Sequence, residues 1–340
     1  MHPLTPTLRS LGFSEPVEVG SLRTIAHLFG TRKSRTGLYA LILPEDRVYI
    51  GESTNVVGRF AGHRRVHESI KGFAFQRVRR AALKKLERDV IHRAEAAGLS
   101  LTNVTYASNV AGDRDIDLLV PQVDQERWLV NPYSANAKER LAVPLLELPA
   151  AQVQRYAGRL ERLQAHPNGD MAIEALAYYL AGSVPFPRTT EYSFWTVSCL
   201  PSTGASYGRA LLRVNAAVIE LFALFPGGAD GNPSGWGFVN VASDVLRDEF
   251  GHSGGNWVDL EGTRVLRGGY RYAGENVSHL VVDYEEDFVP VLRDPRIQRA
   301  AGAFALRMMR KRPTIYQRYH CKQLADAVLA TKIKRPRAAW

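Results

Sequence analysis

Gly37-Leu38-Tyr39-Ala40-Leu41-Ile42-Leu43, Pro44-Glu45-Asp46 and Arg47-Val48-Tyr49-Ile50-Gly51 decide how this 340-residue chain is read. Two runs rich in strand formers flank a three-residue polar gap of turn composition, which predicts a β-hairpin. If Leu43 pairs with Arg47 across that gap, Leu41 faces Tyr49. Tyr39 lies two residues from Leu41, so both phenols point to one side of the sheet. They are then diagonal neighbours, roughly 7–8 Å apart at the backbone. A one-residue slip of register would send them to opposite faces. The spacing fits one site holding two tyrosines, and equally two half-buried tyrosines in a core.

Downstream, Ser53-Thr54-Asn55 offers N-cap side chains ahead of Val56-Val57-Gly58-Arg59-Phe60-Ala61-Gly62-His63. Arg59 and His63 are four apart and share one face of a short helix. Gly58 and Gly62 weaken that helix by roughly 1 kcal/mol each relative to Ala. Close approach to the sheet or to a ligand backbone would explain them. Gly72 to Val78 reads as a strand. A helix follows through Leu83, Leu86, Val90 and Ile91, carrying Glu87 and Asp89 among basic residues and stopping near Gly98, with Asn103 shortly after.

These landmarks resemble a GIY-YIG nuclease domain. The first motif reads Gly37-Leu38-Tyr39, with Leu in place of the usual Ile, and the second reads Tyr49-Ile50-Gly51 in full. Arg59 with His63 one turn on resembles the restriction-enzyme branch. Glu87 stands where the family has its single acidic metal ligand, and Asn103 looks like its closing Asn. The likeness spans roughly a fifth of the chain. It implies a small α/β sandwich, a three-stranded sheet with flanking helices, that hydrolyses a nucleic-acid phosphodiester with one divalent cation.

What those residues would do follows from the chemistry. Attack on a phosphodiester needs a base for the water, positive charge for the phosphoryl oxygens and a Lewis acid at the leaving oxygen. The resemblance makes Tyr39 the base or the orienter of the water. A phenol titrates near pH 10, so Tyr39 needs a proton acceptor, and neutral His63 is the candidate. Arg59 would clamp phosphate oxygens with its planar fork. Tyr49 would touch the phosphate or a bound water. Glu87 would hold the metal, for which a lone carboxylate suits Mg²⁺ (or Mn²⁺). Asn103 is either a tether near the metal or a plain turn residue, and Gly51 is a structural requirement of the strand end.

The formal net charge is +10, which favours a polyanionic partner, and basic side chains between Arg59 and Arg93 far outnumber Glu68, Glu87 and Asp89. Phosphate contacts there would supply salt-sensitive affinity for DNA, expected to be double-stranded. Cys199 and Cys321 make no disulfide framework and show no metal-ligand spacing. No leader-like apolar segment and no membrane-length apolar run is found, so a cytoplasmic protein with inert, buried thiols is expected.

The fold expected for the whole chain is α+β. Residues 1–36 read as an arm with a helix over Ser21–Phe29. They either pack beside the hairpin, begin a DNA-facing surface with Arg32, Lys33 and Arg35, or form a solvated linker. Residues 37–120 form the nuclease-like domain, in which Asp115 to Val120 alternates like a strand ended by Pro121. Asp113, Asp115 and Asp117 read as its solvated face rather than a metal cluster. Residues 121–187 are a connector with helices. Residues 188–340 form a second α+β domain with a basic tail. Its expected elements are a strand over Tyr192–Val197, an apolar helix over Arg209–Phe225, strands at Gly237–Val241 and Ser278–Val282, and helices over Pro295–Met309 and Ile315–Ala330. Asp283, Glu285, Glu286 and Asp287 read as a solvated acidic turn, with a second metal site or an acidic plug as the rarer readings.

The function expected is a metal-dependent DNA endonuclease, in restriction or phage defence by analogy. The alternatives are a repair or recombination nuclease, and a non-cleaving DNA-binding regulator on a nuclease scaffold. A regulatory ligand or protein at the C-terminal domain and a homodimer remain open.

Overall fold

A computed structural model describes residues 2–30, 34–66, 69–103, 114–202, 209–226, 235–251, 257–260, 263–269, 277–283, 288–331 and 333. The chain divides into two compact units, Met1–Asp113 and Arg114–Trp340. Arg32 and Lys33, Asp113, the acidic residues Glu285, Glu286 and Asp287, and the basic tail from 334 lie outside the described residues.

The first unit runs α1 (Thr5–Ser10), β1 (Val17–Glu18), β2 (Gly37–Ile42), β3 (Val48–Ser53), α2 (Val56–Val66), β4 (Gly72–Arg77) and α3 (Leu83–Ala96). The strands form one antiparallel sheet in the order β1-β4-β2-β3. The hairpin closes as expected. The Leu43 amide donates to the Arg47 carbonyl at 2.8 Å, and Leu41 pairs with Tyr49. Alternation along β2 and β3 divides the core in two. Leu38, Ala40, Ile42, Val48 and Ile50 pack with Leu83, Val90 and Ile91 of α3 on one face. Tyr39, Leu41 and Tyr49 pack with Val56 and Phe60 of α2 on the other.

The arm packs against the hairpin's sheet, one of its expected placements, but its secondary structure departs from expectation. It belongs to this unit: Leu8, Leu11 and Phe13 join the α3 side of the core, and β1 adds a fourth strand to the expected three. No helix spans Ser21–Phe29; a single 3₁₀ turn covers Ala26–Leu28. The reason is Arg64 of α2. Its guanidinium donates to the carbonyls of Val19, of Gly20 at 3.0 Å and of Leu22 at 3.1 Å. The Gly20 and Leu22 carbonyls are thus held by a distant side chain, while that of Val19 also accepts from the Leu22 amide at 3.0 Å.

The second unit is also α+β. Its helices are α4 (Gln122–Val130), α5 (Pro132–Ala142), α6 (Ala150–Gln154), α7 (Arg159–Gln164), α8 (Gly169–Ser183), α9 (Pro187–Thr190), α10 (Ser243–Phe250), α11 (Phe288–Arg293), α12 (Pro295–Lys311) and α13 (Lys322–Ala330). Its strands are β5 (Trp195–Cys199), β6 (Leu212–Ala216), β7 (Ile219–Phe225), β8 (Trp236–Ala242), β9 (Trp257–Leu260), β10 (Thr263–Gly269) and β11 (Val277–Asp283). Among the described residues they form one antiparallel sheet in the order β5-β6-β7-β8-β11-β10-β9. Buried residues of α8 and α12 share a core with the sheet. The stretch 114–187 is part of that core: Ile116, Leu163 and most of α8 lie in it, and buried Trp128 sits against Gly302 of α12.

Four other elements differ from expectation. Arg209–Phe225 is a hairpin, β6 and β7, not a helix. A register shift at Val214/Asn215 sets Leu221 and Phe222 side by side and breaks the strict alternation that marks a strand. The turn adds to the ambiguity, because Ala217 takes φ +50° where glycine or asparagine would be the usual signal. Asp115–Leu118 is a 3₁₀ turn, not a strand. Asp117 is no solvated face residue either: its carboxylate accepts from the Arg114 amide at 2.8 Å, from Gln122 and Gln125, and from Arg310 at 3.1 Å. The last helix begins at Lys322, because Thr314, Ile315 and Cys321 donate their amides to Ser193, Ala217 and Val197. β5 likewise starts at Trp195, three residues after Tyr192, whose φ is +65°.

His279 on β11 carries a pH prediction. Burial beside Phe238, with Nδ1 2.7 Å from Asn240 Oδ1, pulls its pKa down to about 4. A histidine whose folded pKa lies below its unfolded value near 6.5 contributes stability that is lost as pH falls between the two. The melting temperature of this unit is expected to drop from pH 7 to pH 4.5, and His279→Gln to flatten that slope in calorimetry. An equally steep slope in the variant would remove His279 as its source.

Candidate active site

The phenols meet first. Tyr39 and Gly51 are directly paired, and Tyr49 precedes Gly51 by two, so Tyr39 and Tyr49 share the α2 face. Their ring centroids are 6.1 Å apart. Gly51 makes this fit: a Cβ there would lie 2.6 Å from the Tyr39 hydroxyl and 2.9 Å from Tyr49 Cε1. Gly37 has a similar reason, since its Cβ would fall 2.1 Å from the Gln76 carbonyl.

Helix α2 brings the next two residues. Tyr39 Oη lies 2.7 Å from His63 Nε2, and Arg59 Nε donates to the same hydroxyl at 3.4 Å. His63 also packs on the Tyr49 ring, 4.8 Å between centroids. Since Arg59 is donor only, the phenol oxygen accepts from it; with His63 Nε2 unprotonated, the phenol proton can point to that nitrogen. Tyr39 is fully buried, and burial pushes its pKa well above the ordinary phenol value, with Tyr49 adding to the rise and Arg59 opposing it. Its neutral form is therefore the resting form. Arg59 itself is exposed, with its guanidinium at the surface over a buried phenol. Gly62 shows no close approach to the sheet, because a Cβ there meets nothing within 4 Å; at Gly58 the near neighbour is Asn55.

Glu87 and Asn103 arrive differently. Helix α3 lies on the opposite face of the sheet, and Glu87 and Asn103 both bond to the outer edge of β3. Outward-facing backbone groups of this edge strand are taken at Val48, at Ile50 and at the Glu52 amide. Val48 bonds to Ser100 and Thr102, both at 2.9 Å. The Ile50 amide donates to Asn103 Oδ1 at 2.9 Å, and Asn103 Nδ2 returns a bond to the Ile50 carbonyl. The Glu52 amide donates to Glu87 Oε1 at 3.1 Å. So the edge is blocked by the chain itself, and Asn103 is a tether. Asn103→Ala strands both Ile50 groups and is expected to cost at least ~1 kcal/mol for each. Chemical denaturation of the full chain checks this; an unchanged midpoint would show that Asn103 holds nothing.

Burial and the neighbouring Glu52 carboxylate push the Glu87 pKa up to about 7, opposed by the Glu52 amide and by the charge of Arg59. Glu52 is the residue that sequence reasoning missed. Its only signal was its place directly after Tyr49-Ile50-Gly51. Arg64 was missed likewise, and its bonds to carbonyls make it structural. Exposed Arg79, Arg80, Lys84, Lys85 and Arg93 give this unit a cationic surface.

Cys199 and Cys321 are both free and buried, the Cys199 thiol donating to the Arg159 carbonyl at 3.4 Å and the Cys321 thiol to Gln323 Oε1 at 3.8 Å; each perturbs the other's ionisation, a meeting that their 122-residue separation did not announce. Among the described residues no group of three or more His, Cys, Asp or Glu could hold a metal, and no helix is long and apolar enough to cross a membrane. Compared with known proteins, the chain matches no family model, no curated protein and no solved structure.

Proposed function

We propose that the first unit is a GIY-YIG-type nuclease that hydrolyses DNA phosphodiester bonds with the help of one divalent cation. The observation that carries this reading is the Tyr39–His63 bond at 2.7 Å beneath the Arg59 guanidinium, with Tyr49 on the same face. In this reading the Tyr39 oxygen takes a proton from the attacking water while its own proton passes to His63 Nε2. Neutral Tyr39 suits such a relay, since no phenolate need be populated beforehand. Arg59 draws the phosphate oxygens toward the phenols and stabilises the charge that develops on them. Tyr49 orients the scissile phosphate.

The donor set fits a cation. Glu87 offers a half-buried carboxylate, and Glu52 Oε2 beside it is buried with no hydrogen-bond partner. Glu87 would hold Mg²⁺ or Mn²⁺, which supplies Lewis-acid charge at the leaving oxygen when bound. The exposed cations of this unit support double-stranded DNA as substrate, with salt-dependent affinity. A role in restriction or phage defence has the Arg59/His63 pairing as its support.

Supercoiled plasmid incubated with Mg²⁺ tests the reading. The full chain is expected to give nicked or linear product, and Glu87→Ala to lose it by at least ~10²-fold, the scale of removing one preorganised charge group. Binding without cutting, across DNA, RNA and several metals, would make this a regulator on a nuclease scaffold.

A further inference from the structure

We propose that the second unit binds an adenine mononucleotide in the cavity beside β5, β6 and β7, with the base edge on Asn215 and the phosphate on Arg159. The cavity measures ≈ 620 Å³, a size that suits a small-molecule ligand. All of its described lining belongs to the second unit.

Strand alternation builds its floor. Val197, Val214 and Leu221 enter the core that the sheet shares with α8 and α12. Their neighbours Ser198, Arg213, Asn215 and Glu220 therefore lie on the opposite face. Ser198 pairs with Arg213, and the register shift in β6–β7 sets Asn215 opposite Glu220. Arg213 and Glu220 neutralise each other, Nη1 to Oε1 at 3.2 Å. Asn215 is different. It is 6% exposed, it lines the cavity, and its side-chain amide has no hydrogen-bond partner among the described residues. A buried amide without a partner is costly, and it calls for an occupant that supplies one.

The walls are aromatic and basic. Tyr156, Tyr316 and Tyr319 line the cavity. Their hydroxyls are tied at the tips: Tyr156 donates to the Arg318 carbonyl at 2.6 Å, Tyr316 donates to the Val218 carbonyl at 3.0 Å, and Tyr319 accepts from Arg318. What they offer a ligand is ring surface, on which a base can stack. Arg159 lies over the Tyr156 ring, 4.7 Å from its centroid. Its Nη1 donates to the Cys199 and Leu200 carbonyls at 2.8 and 2.7 Å, which leaves Nε and Nη2 for an anion. The one carboxylate in the described lining, Glu220, is taken by Arg213, so the charge of Arg159 is uncompensated there. Arg155 also reaches the Arg318 carbonyl, at 3.3 Å, and adds positive charge at the same end.

This combination selects a ligand. A side-chain amide presents a donor and an acceptor together, the complement of the amine and ring nitrogen on an adenine edge and not of the paired acceptors of guanine. A guanidinium suits phosphate. Titration calorimetry of the full chain with adenosine monophosphate (AMP) tests the site. Wild type is expected to bind one AMP per chain, and to bind GMP at least ~10-fold more weakly. Asn215→Leu should lose AMP affinity at least ~10-fold while melting no lower than wild type, because no described residue bonds to that amide. Asn215→Asp, an acceptor only, should narrow the preference for AMP over GMP. Arg159→Ala should weaken AMP yet leave adenosine nearly unaffected, which separates a phosphate contact from a collapse of the fold. No binding of AMP at millimolar concentration overturns the proposal, and so does AMP binding that neither Asn215→Leu nor Arg159→Ala diminishes. Binding of an oligo(dA) strand without binding of AMP overturns it as well, and makes the cavity a strand contact.

Discussion

Arg59→Ala is expected to lower plasmid cleavage by at least ~10²-fold, the usual loss on removing one preorganised charge donor. DNA binding, measured by anisotropy at fixed salt, should change far less. The physical reason is the difference between one positioned charge and many diffuse ones. Arg59 is the cation placed on the Tyr39 hydroxyl, at 3.4 Å, and its charge also acts on Glu87. On the proposed reading, affinity would instead be spread over exposed cations such as Arg77, Arg79, Arg80, Lys84, Lys85 and Arg93, each contributing a small share. Removing Arg59 should leave the fold intact, because its side chain is exposed. It should, however, push the Tyr39 phenol further from ionisation, since the neighbouring guanidinium opposes the rise caused by burial. Arg59→Lys should recover only part of the rate, because a single ammonium cannot hold the phenol and a phosphate oxygen together in the same planar fork. Equal losses in cleavage and binding would demote Arg59 to a binding residue.

Gly51→Ala is the second large effect, and it acts through shape. The added methyl would lie 2.6 Å from the Tyr39 hydroxyl, 2.7 Å from Tyr39 Cζ and 2.9 Å from Tyr49 Cε1. None of these atoms is the loose end of a flexible chain. Both rings are packed, and Tyr39 is fully buried. Overpacking of this kind costs ~1–3 kcal/mol. The damage to the reaction should be larger than the damage to the fold, since a displacement of about 1 Å at the reacting groups can cost ~10²-fold in rate. Gly62→Ala is the contrast. A methyl there meets nothing, and alanine in a helix interior gains roughly 0.5–1 kcal/mol over glycine. The expected pattern is a lower melting midpoint and lost cleavage for Gly51→Ala, with a raised midpoint for Gly62→Ala. A fully active, undestabilised Gly51→Ala would mean that the phenols need no such seat.

Much of the first unit was legible without coordinates, and the cause is local periodicity. The two-residue repeat of a strand places Tyr39 and Tyr49 on one face once the Pro44–Asp46 turn sets the register. The helical repeat places Arg59 and His63 together. These relations hold within a few residues of chain and need no third element. The second unit was less legible. Its β6–β7 hairpin carries a register shift and a turn built on Ala217, so both strand signals were blurred.

The sequence by itself therefore determined the hairpin, its register and the tyrosine, arginine and histidine side of the candidate site. Tertiary structure alone decided the rest: that Glu87 crosses to the edge of β3, that Glu52 stands beside it, that Asn103 closes the same edge, and that Cys199 meets Cys321. Such pairings join residues 35, 53 and 122 positions apart. No repeat of the backbone links positions so distant; only the packing of a helix against a sheet, or of a chain end against a strand, brings them together.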